Sequence, residues 1–216
     1  AARHGIEFYL QPGGLDTVGP LAGPATPLEY TLADHGVRIR FAPSDFIQVN
    51  AAINEQAVGL ALSLLDPQPG DTVLDLFCGL GNFTLPLARR AARVIGVEGE
   101  AGLVERARAN ARLNGITNAE FHVADLSADP GEAPWAAESC QRVLLDPPRA
   151  GAAGVLPRVG RLRPQRLVYV SCHPASLARD AGVLVNELGF RLRAAGVMDM
   201  FPHTAHVESI ALFESG

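Results

Sequence analysis

A thiol and a carboxylate stand out in this sequence of 216 residues, each beside an apolar run where a reactive side chain is out of place. Cys172 ends the strand-like run in Val168-Tyr169-Val170-Ser171-Cys172-His173-Pro174, and Pro174 suits the first turn of a helix. A free thiol of pKa about 8.5 is only a few per cent thiolate at neutral pH. A nucleophilic Cys172 therefore needs that value lowered or must work through the small fraction. A helix start after it would place positive partial charge near the sulfur. The plain alternative is packing, since a cysteine at a strand end is more often a buried apolar side chain. Glu208 opens the otherwise apolar run to Phe213, where a carboxylate is costly unless it is paired or functional.

Two further clusters also follow strand-like runs. Val73-Leu74-Asp75-Leu76-Phe77-Cys78-Gly79-Leu80-Gly81-Asn82-Phe83 places a glycine turn between a strand and a helix, where backbone can approach a ligand closely. A dinucleotide fingerprint requires a third glycine where Thr84 stands, so a nucleotide-containing methyl donor fits better than a nicotinamide cofactor. Glu98, ending the next strand, is placed to accept hydrogen bonds from ribose hydroxyls, and Asp125 after the third strand can face an adenine. A bare strand–turn–helix corner is the alternative, weakened by Asp75, Gly79, Gly81 and Glu98 falling on successive strand ends. In Leu144-Leu145-Asp146-Pro147-Pro148-Arg149, Asp146 and Arg149 suit the polar edge of a base and a nearby phosphate, although two prolines also simply end a strand. His203 and His206 gather no third or fourth ligand, so no metal is expected, and the histidines are read as hydrogen-bonding groups that shape a loop.

The elements that must position these groups alternate. Asn50 can cap a helix to about Leu65, ended by Asp66-Pro67 and Pro69-Gly70. Strands are expected at Thr72–Phe77, Arg93–Val97, Glu120–Val123, Arg142–Leu145 and Arg166–Val170. Helices are expected near Asn82–Ala91, Glu100–Asn114, Ala152–Arg161 and Pro174–Leu188. Phe190–Met198 and Val207–Phe213 have no helix between them and should pair antiparallel. The class is α/β, a mostly parallel sheet covered on both faces with an antiparallel edge. Before residue 46 the chain reads differently. Ile6–Leu10 is a short strand, Leu28–Leu32 and Val37–Phe41 form a hairpin around His35-Gly36, and the Gly/Pro-rich stretch from Gln11 to Pro27 is irregular. Residues 1–45 read as the C-terminal remnant of a preceding β-rich domain, and Ala1-Ala2-Arg3-His4 as a cut within a longer protein.

Composition narrows the partners. Three scattered cysteines, Cys78, Cys140 and Cys172, suit a reducing cytoplasm and no disulfide framework. No apolar run approaches the roughly 20 residues of a membrane span. The net charge is −5 and all 18 basic residues are arginine, so overall charge argues against a nucleic-acid partner unless a basic strip or another domain supplies the grip.

In chain order, Phe46-Ile47-Gln48-Val49-Asn50, Asp75-Leu76-Phe77-Cys78-Gly79, Gly81-Asn82-Phe83, Asp146-Pro147-Pro148-Arg149, Ser171-Cys172 and His206-Val207-Glu208-Ser209 resemble the RNA uracil-5-methyltransferases. The resemblance covers nearly the whole chain. Asp199-Met200-Phe201-Pro202-His203-Thr204 and Phe8-Tyr9-Leu10 are more similar to the bacterial branch acting on 23S ribosomal RNA than to the transfer-RNA branch. It implies a Rossmann-like class I methyltransferase fold over residues 46–216, with S-adenosylmethionine as cofactor. By the same resemblance Gln48, Phe77, Gly79, Asn82, Glu98 and Asp125 hold the donor, and Asp146 lies between donor and uracil. Arg149 belongs to the substrate side, Cys172 is the nucleophile and Glu208 the proton acceptor. Carbon 5 of uracil is a poor nucleophile; thiolate addition at carbon 6 makes it enolate-like, and a base must later remove the carbon-5 proton. The base must also be unstacked, at a cost of a few kcal/mol. Two departures stand against the pattern: His173 where relatives carry Asn, and cysteines that match no iron–sulfur positions, so no cluster is expected. The implied protein is a cytoplasmic monomer with no membrane contact, acting on 23S ribosomal RNA and binding it weakly through this portion alone. A transfer-RNA target, another ribosomal site, a dehydrogenase and a non-catalytic donor-binding module remain the competing readings.

Overall fold

A computed structural model describes residues 4, 6–128, 131, 133, 135, 139–204 and 206–216; the opening Ala1-Ala2-Arg3, read above as a cut, lies outside them. Short strands β1 (Tyr9–Leu10) and β2 (Gly19–Pro20) pair antiparallel, followed by the hairpin of β3 (Leu28–Leu32) and β4 (Val37–Phe41). Helix α1 (Ala51–Leu65) begins as expected, with the Asn50 side chain accepting from the Ile53 N–H. The alternating elements are β5 (Thr72–Leu76), α2 (Thr84–Ala88), β6 (Arg93–Glu98), α3 (Ala101–Leu113), β7 (Ala119–Val123) and β8 (Arg142–Leu145). Then come α4 (Leu156–Leu162), β9 (Arg166–Ser171), α5 (Pro174–Asn186), β10 (Phe190–Met198) and β11 (Glu208–Ser215).

Seven strands among the described residues form one sheet, in the order β10-β11-β9-β8-β5-β6-β7. Both faces are covered because successive strand residues point to opposite sides. Val168, Val170, Ile210 and Leu212 join the core with Val58, Leu62 and Leu65 of α1 and Val104 and Ala107 of α3. Leu167, Tyr169, Ala211 and Phe213 join the opposite core with Leu156, Val159, Leu177 and Leu184 of α4 and α5. The expected antiparallel C-terminal strand is present and pairs with β10, one place in from the edge of the sheet. β11 is not the edge but is inserted between β9 and β10, antiparallel to both. Burial decides this. Ile210, Ala211, Leu212 and Phe213 are apolar on both faces and almost fully buried, whereas β10 presents Arg191 and Arg193 and is exposed over most of its length.

Helix α2 is shorter than expected and starts at Thr84. Gly81 has φ +94°, outside helical space, and the Thr84 hydroxyl is committed to Asp75 at 2.5 Å. The sequence reading groups residues 1–45 with a preceding unit. In the fold, Leu32, Val37 and Ile39 of the hairpin are buried in the same core as α1 and α3, while the described residues before 28 contribute no buried side chain. Two asparagines one turn apart, Asn110 on α3 and Asn114 at its C-cap, complete the edge of β4. Asn110 and Asn114 accept from the N–H groups of Arg40 and Arg38 at 2.9 and 2.8 Å and donate to the carbonyls of the same residues at 3.1 and 2.6 Å. A helical turn and two strand residues advance by similar distances, so the two amides act as a substitute strand.

Candidate active site

Parallel strands present their carboxyl ends along one edge of the sheet, and an antiparallel neighbour presents its start there. Phe77 follows β5, Glu98 ends β6, Asp125 lies just past β7, Asp146 follows β8 and Cys172 follows β9. β11 contributes its first residue, Glu208. Its register pairs Ser209 with Ser171, and the Ser209 hydroxyl donates to the Ser171 carbonyl at 3.0 Å, a bond between residues 38 positions apart that sets Glu208 beside Cys172. All ten sequence-derived site residues line one cavity of about 620 Å³. They are Gln48, Phe77, Gly79, Asn82, Glu98, Asp125, Asp146, Arg149, Cys172 and Glu208. That volume is ordinary for a small-ligand site.

The glycine turn is held from below and from the side. Phe77 has φ +66°, strained for a residue with a Cβ, and the N–H groups of Phe77 and Cys78 both donate to the Val97 carbonyl at 2.9 and 3.1 Å. Gly79 has φ +53°, and a Cβ added there would project into open space, so the turn leaves room for a ligand. The Glu98 carboxylate accepts from the Gly79 N–H at 3.1 Å and from the Gly99 and Glu100 N–H groups at 2.7 and 3.2 Å. About one of its four lone-pair positions is left for a hydroxyl. Asp125 is exposed and accepts from the Ser127 N–H at 2.8 Å; hydrogen bonding to the Ser127 side chain first, and to this N–H second, holds its carboxyl below the usual range.

Asp75 and Gly81, which helped to mark the turn in the sequence, do not line the cavity. Asp75 is fully buried beneath the turn, where burial overrides the bond from Thr84 and pushes its pKa up to about 7. Thr84, standing where a dinucleotide site would have glycine, is the partner of this carboxyl. A stability prediction follows. The unfolded carboxyl ionises near 3.8 and the folded one near 7, so the folded state holds the proton more tightly. Its contribution is full below pH 3.8 and is lost as pH rises to about 7, amounting to a few kcal/mol on the order-of-magnitude scale. Thermal unfolding between pH 4 and 7 should show stability falling with pH, and Asp75→Asn should flatten that slope; an equal slope in the variant contradicts the assignment.

Around the thiol the electrostatics differ from the expectation. Cys172 is half-buried, and burial, then Glu208 and Asp146, push the thiol up; Arg149 pulls the other way. Of the two routes open to a nucleophilic Cys172, a lowered value or a small thiolate fraction, the raised value of the free site favours the second. Burial raises Glu208, which is 4% exposed, and burial together with Glu208, Asp75 and Glu98 holds Asp146 well above the usual carboxylate range. Two carboxyls, Asp146 and Glu208, and a thiol with raised values share one cavity, an arrangement that a bound cation would relieve. His173 caps α5, its Nδ1 accepting from the Ser176 N–H at 3.3 Å. Among the described residues, no three His, Cys, Asp or Glu side chains converge as metal ligands.

Sequence reasoning missed Tyr30 and Asn54. The Tyr30 hydroxyl donates to Asn82 Oδ1 at 3.0 Å, and the side chains of Asn54 and Asn82 exchange two hydrogen bonds of 3.1 and 3.0 Å. Tyr30 lines the cavity from the hairpin, and Asn54 is buried on α1 behind Asn82. Nothing local marks either residue, since both look like ordinary members of a strand and a helix.

The fold is the one shared by S-adenosylmethionine-dependent methyltransferases. It superposes on M. jannaschii TYW2 in complex with AdoMet with a TM-score of 0.64 at 18% identity, over 92% of this chain and 91% of that one. The chain belongs to the tRNA (Uracil-5-)-methyltransferase family, whose model matches residues 28–132 and 135–215. The Pyrococcus abyssi tRNA (uracil-54, C5)-methyltransferase, solved with S-adenosyl-L-homocysteine, is 30% identical with a TM-score of 0.76, over 96% of this chain and 50% of that one. A 23S rRNA (uracil(1939)-C(5))-methyltransferase RlmD of Stenotrophomonas maltophilia (strain K279a) is 60% identical over 98% of this chain and 48% of its own length. Its counterpart in Xanthomonas axonopodis pv. citri (strain 306) is 58% identical over 99% and 48%. The chain thus spans about half the length of the curated relatives it matches.

Proposed function

We propose that the cavity binds S-adenosylmethionine and that the protein carrying this chain methylates carbon 5 of a uridine in 23S ribosomal RNA. The observation that carries the reading is the meeting of Cys172 and Glu208 in the same cavity as the glycine turn and Glu98. The donor fits the residues present. Gln48 Oε1 is buried with no partner at the cavity wall, Gly79 leaves open space, and the carboxyls around Asp146 favour a cation. Gln48, Phe77, Gly79, Asn82, Glu98, Asp125 and Asp146 are the residues assigned to it, and when bound it supplies an electrophilic methyl on a cationic sulfur.

The chain's own residues supply the rest. The Cys172 thiolate adds to carbon 6 of the uracil, and the ring's electron pair, now at carbon 5, is directed to the methyl group. Glu208 then takes the proton from carbon 5, the carbon 5–carbon 6 double bond re-forms, and the bond from carbon 6 to Cys172 breaks to return the thiolate. Asp146 and Arg149 orient the polar edge of the base and its phosphate. Because the thiol is pushed up in the free site, arrival of a cationic donor raises the thiolate fraction where it is needed.

The ribosomal target rests on the identity to relatives named for 23S rRNA, twice that to the transfer-RNA enzyme. The full-length protein should methylate a 23S ribosomal RNA fragment lacking 5-methyluridine and leave unmodified transfer RNA untouched. The reverse result moves the assignment to the transfer-RNA branch, and methylation of neither removes it. The acidic chain is proposed to act as a monomer and to bind RNA weakly without the remainder of the protein, at whichever cellular site holds ribosomal RNA; no helix among the described residues is long and apolar enough to cross a membrane. Tyr30→Phe removes one bond from Asn82. It should raise the donor Kd about threefold to tenfold by calorimetry with kcat little changed, and an unaltered Kd would remove Asn82 from the donor's partners.

A further inference from the structure

Asp180 is a fully buried carboxylate on α5, away from the cavity wall and unused by the chemistry above. Its Oδ2 accepts from the Tyr169 hydroxyl at 2.6 Å and from the Ala152 N–H at 2.7 Å. Its Oδ1 accepts from Arg179 Nε and Nη2 at 2.8 and 2.7 Å, and the same Nη2 donates to the Ala150 carbonyl at 2.7 Å. All four lone-pair positions of the carboxylate are therefore used.

These bonds join three segments of the site. Ala150 and Ala152 belong to the loop that carries Asp146 and Arg149. Tyr169 lies on β9, three residues before Cys172, and Asp180 lies on the helix that starts just after it. The loop is shaped to receive the clamp. Gly151 donates to the Pro148 carbonyl at 2.8 Å and has φ +87°, and a Cβ there would collide with Arg179 Nη2 and Asp180 Oδ2. Glycine is required both by the backbone conformation and by the closeness of the two side chains. An ion pair between a buried carboxylate and a half-exposed arginine adds little net stability, so stability alone is a weak reason for this arrangement. What it provides is direction, because two bonds end on the backbone of this loop.

We infer that Asp180, with Arg179 and Tyr169, is a positioning clamp that holds the Asp146–Arg149 loop in register with the strand and helix flanking Cys172. The clamp thereby sets where the edge of the base meets the sulfur, an inference that rests on the proposed function. Displacement of a reacting group by about 1 Å can cost 10²-fold in rate without loss of binding.

The test uses the full-length protein with Asp180→Asn, Tyr169→Phe and Arg179→Gln. The Arg179 side chain is half exposed, so its replacement should fold even if Asp180→Asn does not. Well below each variant's unfolding midpoint, Asp180→Asn should lower kcat about 100-fold, with donor Kd within about threefold of wild type. Arg179→Gln and Tyr169→Phe should each lower kcat about fivefold to tenfold, the loss of one or two bonds. Hydrogen exchange at the Gly151 and Ala152 amides should become at least about tenfold faster in all three. Wild-type kcat in folded variants, with only the midpoint lowered, means a merely structural role and overturns the inference, as does unchanged exchange at those amides. A wild type that methylates no uracil in RNA, with faster exchange in the variants, overturns the functional reading and leaves the clamp standing.

Discussion

Replacing Cys172 by alanine is expected to lower methyl transfer by about 10⁴-fold or more while donor binding stays within about twofold of wild type. The reason is the separation of tasks along the cavity. The glycine turn, Gln48, Asn82 and Glu98 belong to the ends of β5 and β6 and to the segment before α1, whereas Cys172 stands beyond β8 at the end of β9. Removing its sulfur leaves the donor wall as it was, but carbon 5 loses the only route proposed here to carbanion character. The check pairs calorimetry of S-adenosylmethionine binding with a single-turnover transfer assay. Methylation persisting within tenfold of wild type would exclude covalent activation by this residue.

Glu208→Gln separates the second half of the reaction from the first. The amide keeps the shape of the side chain at the start of β11 but cannot accept the carbon-5 proton. Turnover should fall by about 10²–10⁴-fold, the usual contribution of a positioned base. Addition of the thiolate and arrival of the methyl precede the lost step, so a covalent RNA–protein adduct should accumulate and migrate as a slower band on a denaturing gel. The substitution also removes a charge that pushes the Cys172 thiol up, so adduct formation itself should be no slower than in wild type. Cys172→Ala in the same background must abolish the band. Loss of turnover without any adduct would place Glu208 in binding or in folding instead of proton removal. RNA containing 5-fluorouracil gives an independent check, because fluorine cannot leave as a proton does and the wild-type enzyme should itself be trapped.

The clustering of these groups was legible to different degrees. Phe77, Glu98, Asp125, Asp146, Arg149 and Cys172 follow strand-like runs, Gly79 and Asn82 belong to the glycine turn and Glu208 opens a strand; in an α/β sheet such positions converge on one edge, so their common cavity could be anticipated, whereas Gln48 is marked only by the family resemblance. Asp75 was misleading. Its place within the turn motif looks the same whether the carboxyl faces a ligand or, as here, lies beneath the turn with Thr84. Alternation puts it on one face of a strand without saying what covers that face. Thr84 was read as a missing glycine, and its positive role as the partner of a buried carboxyl has no local signature.

By itself the sequence determined the local elements and the chemistry available to them. Apolar periodicity, the Asn50 cap, glycines at turns and the run from Val168 to Pro174 are short-range features, and their preferences are expressed wherever the chain goes. Only the tertiary structure decided which strand ends became neighbours. The order of β9, β10 and β11 is settled by comparing burial over the whole sheet: β11 is apolar on both faces and is enclosed, while the arginines of β10 keep that strand at the edge. That choice brings Glu208 to Cys172. The same non-local packing sets Tyr30 against Asn82 and Asp180 against Ala152, because a hydrogen bond between segments tens of residues apart has no period from which to read it.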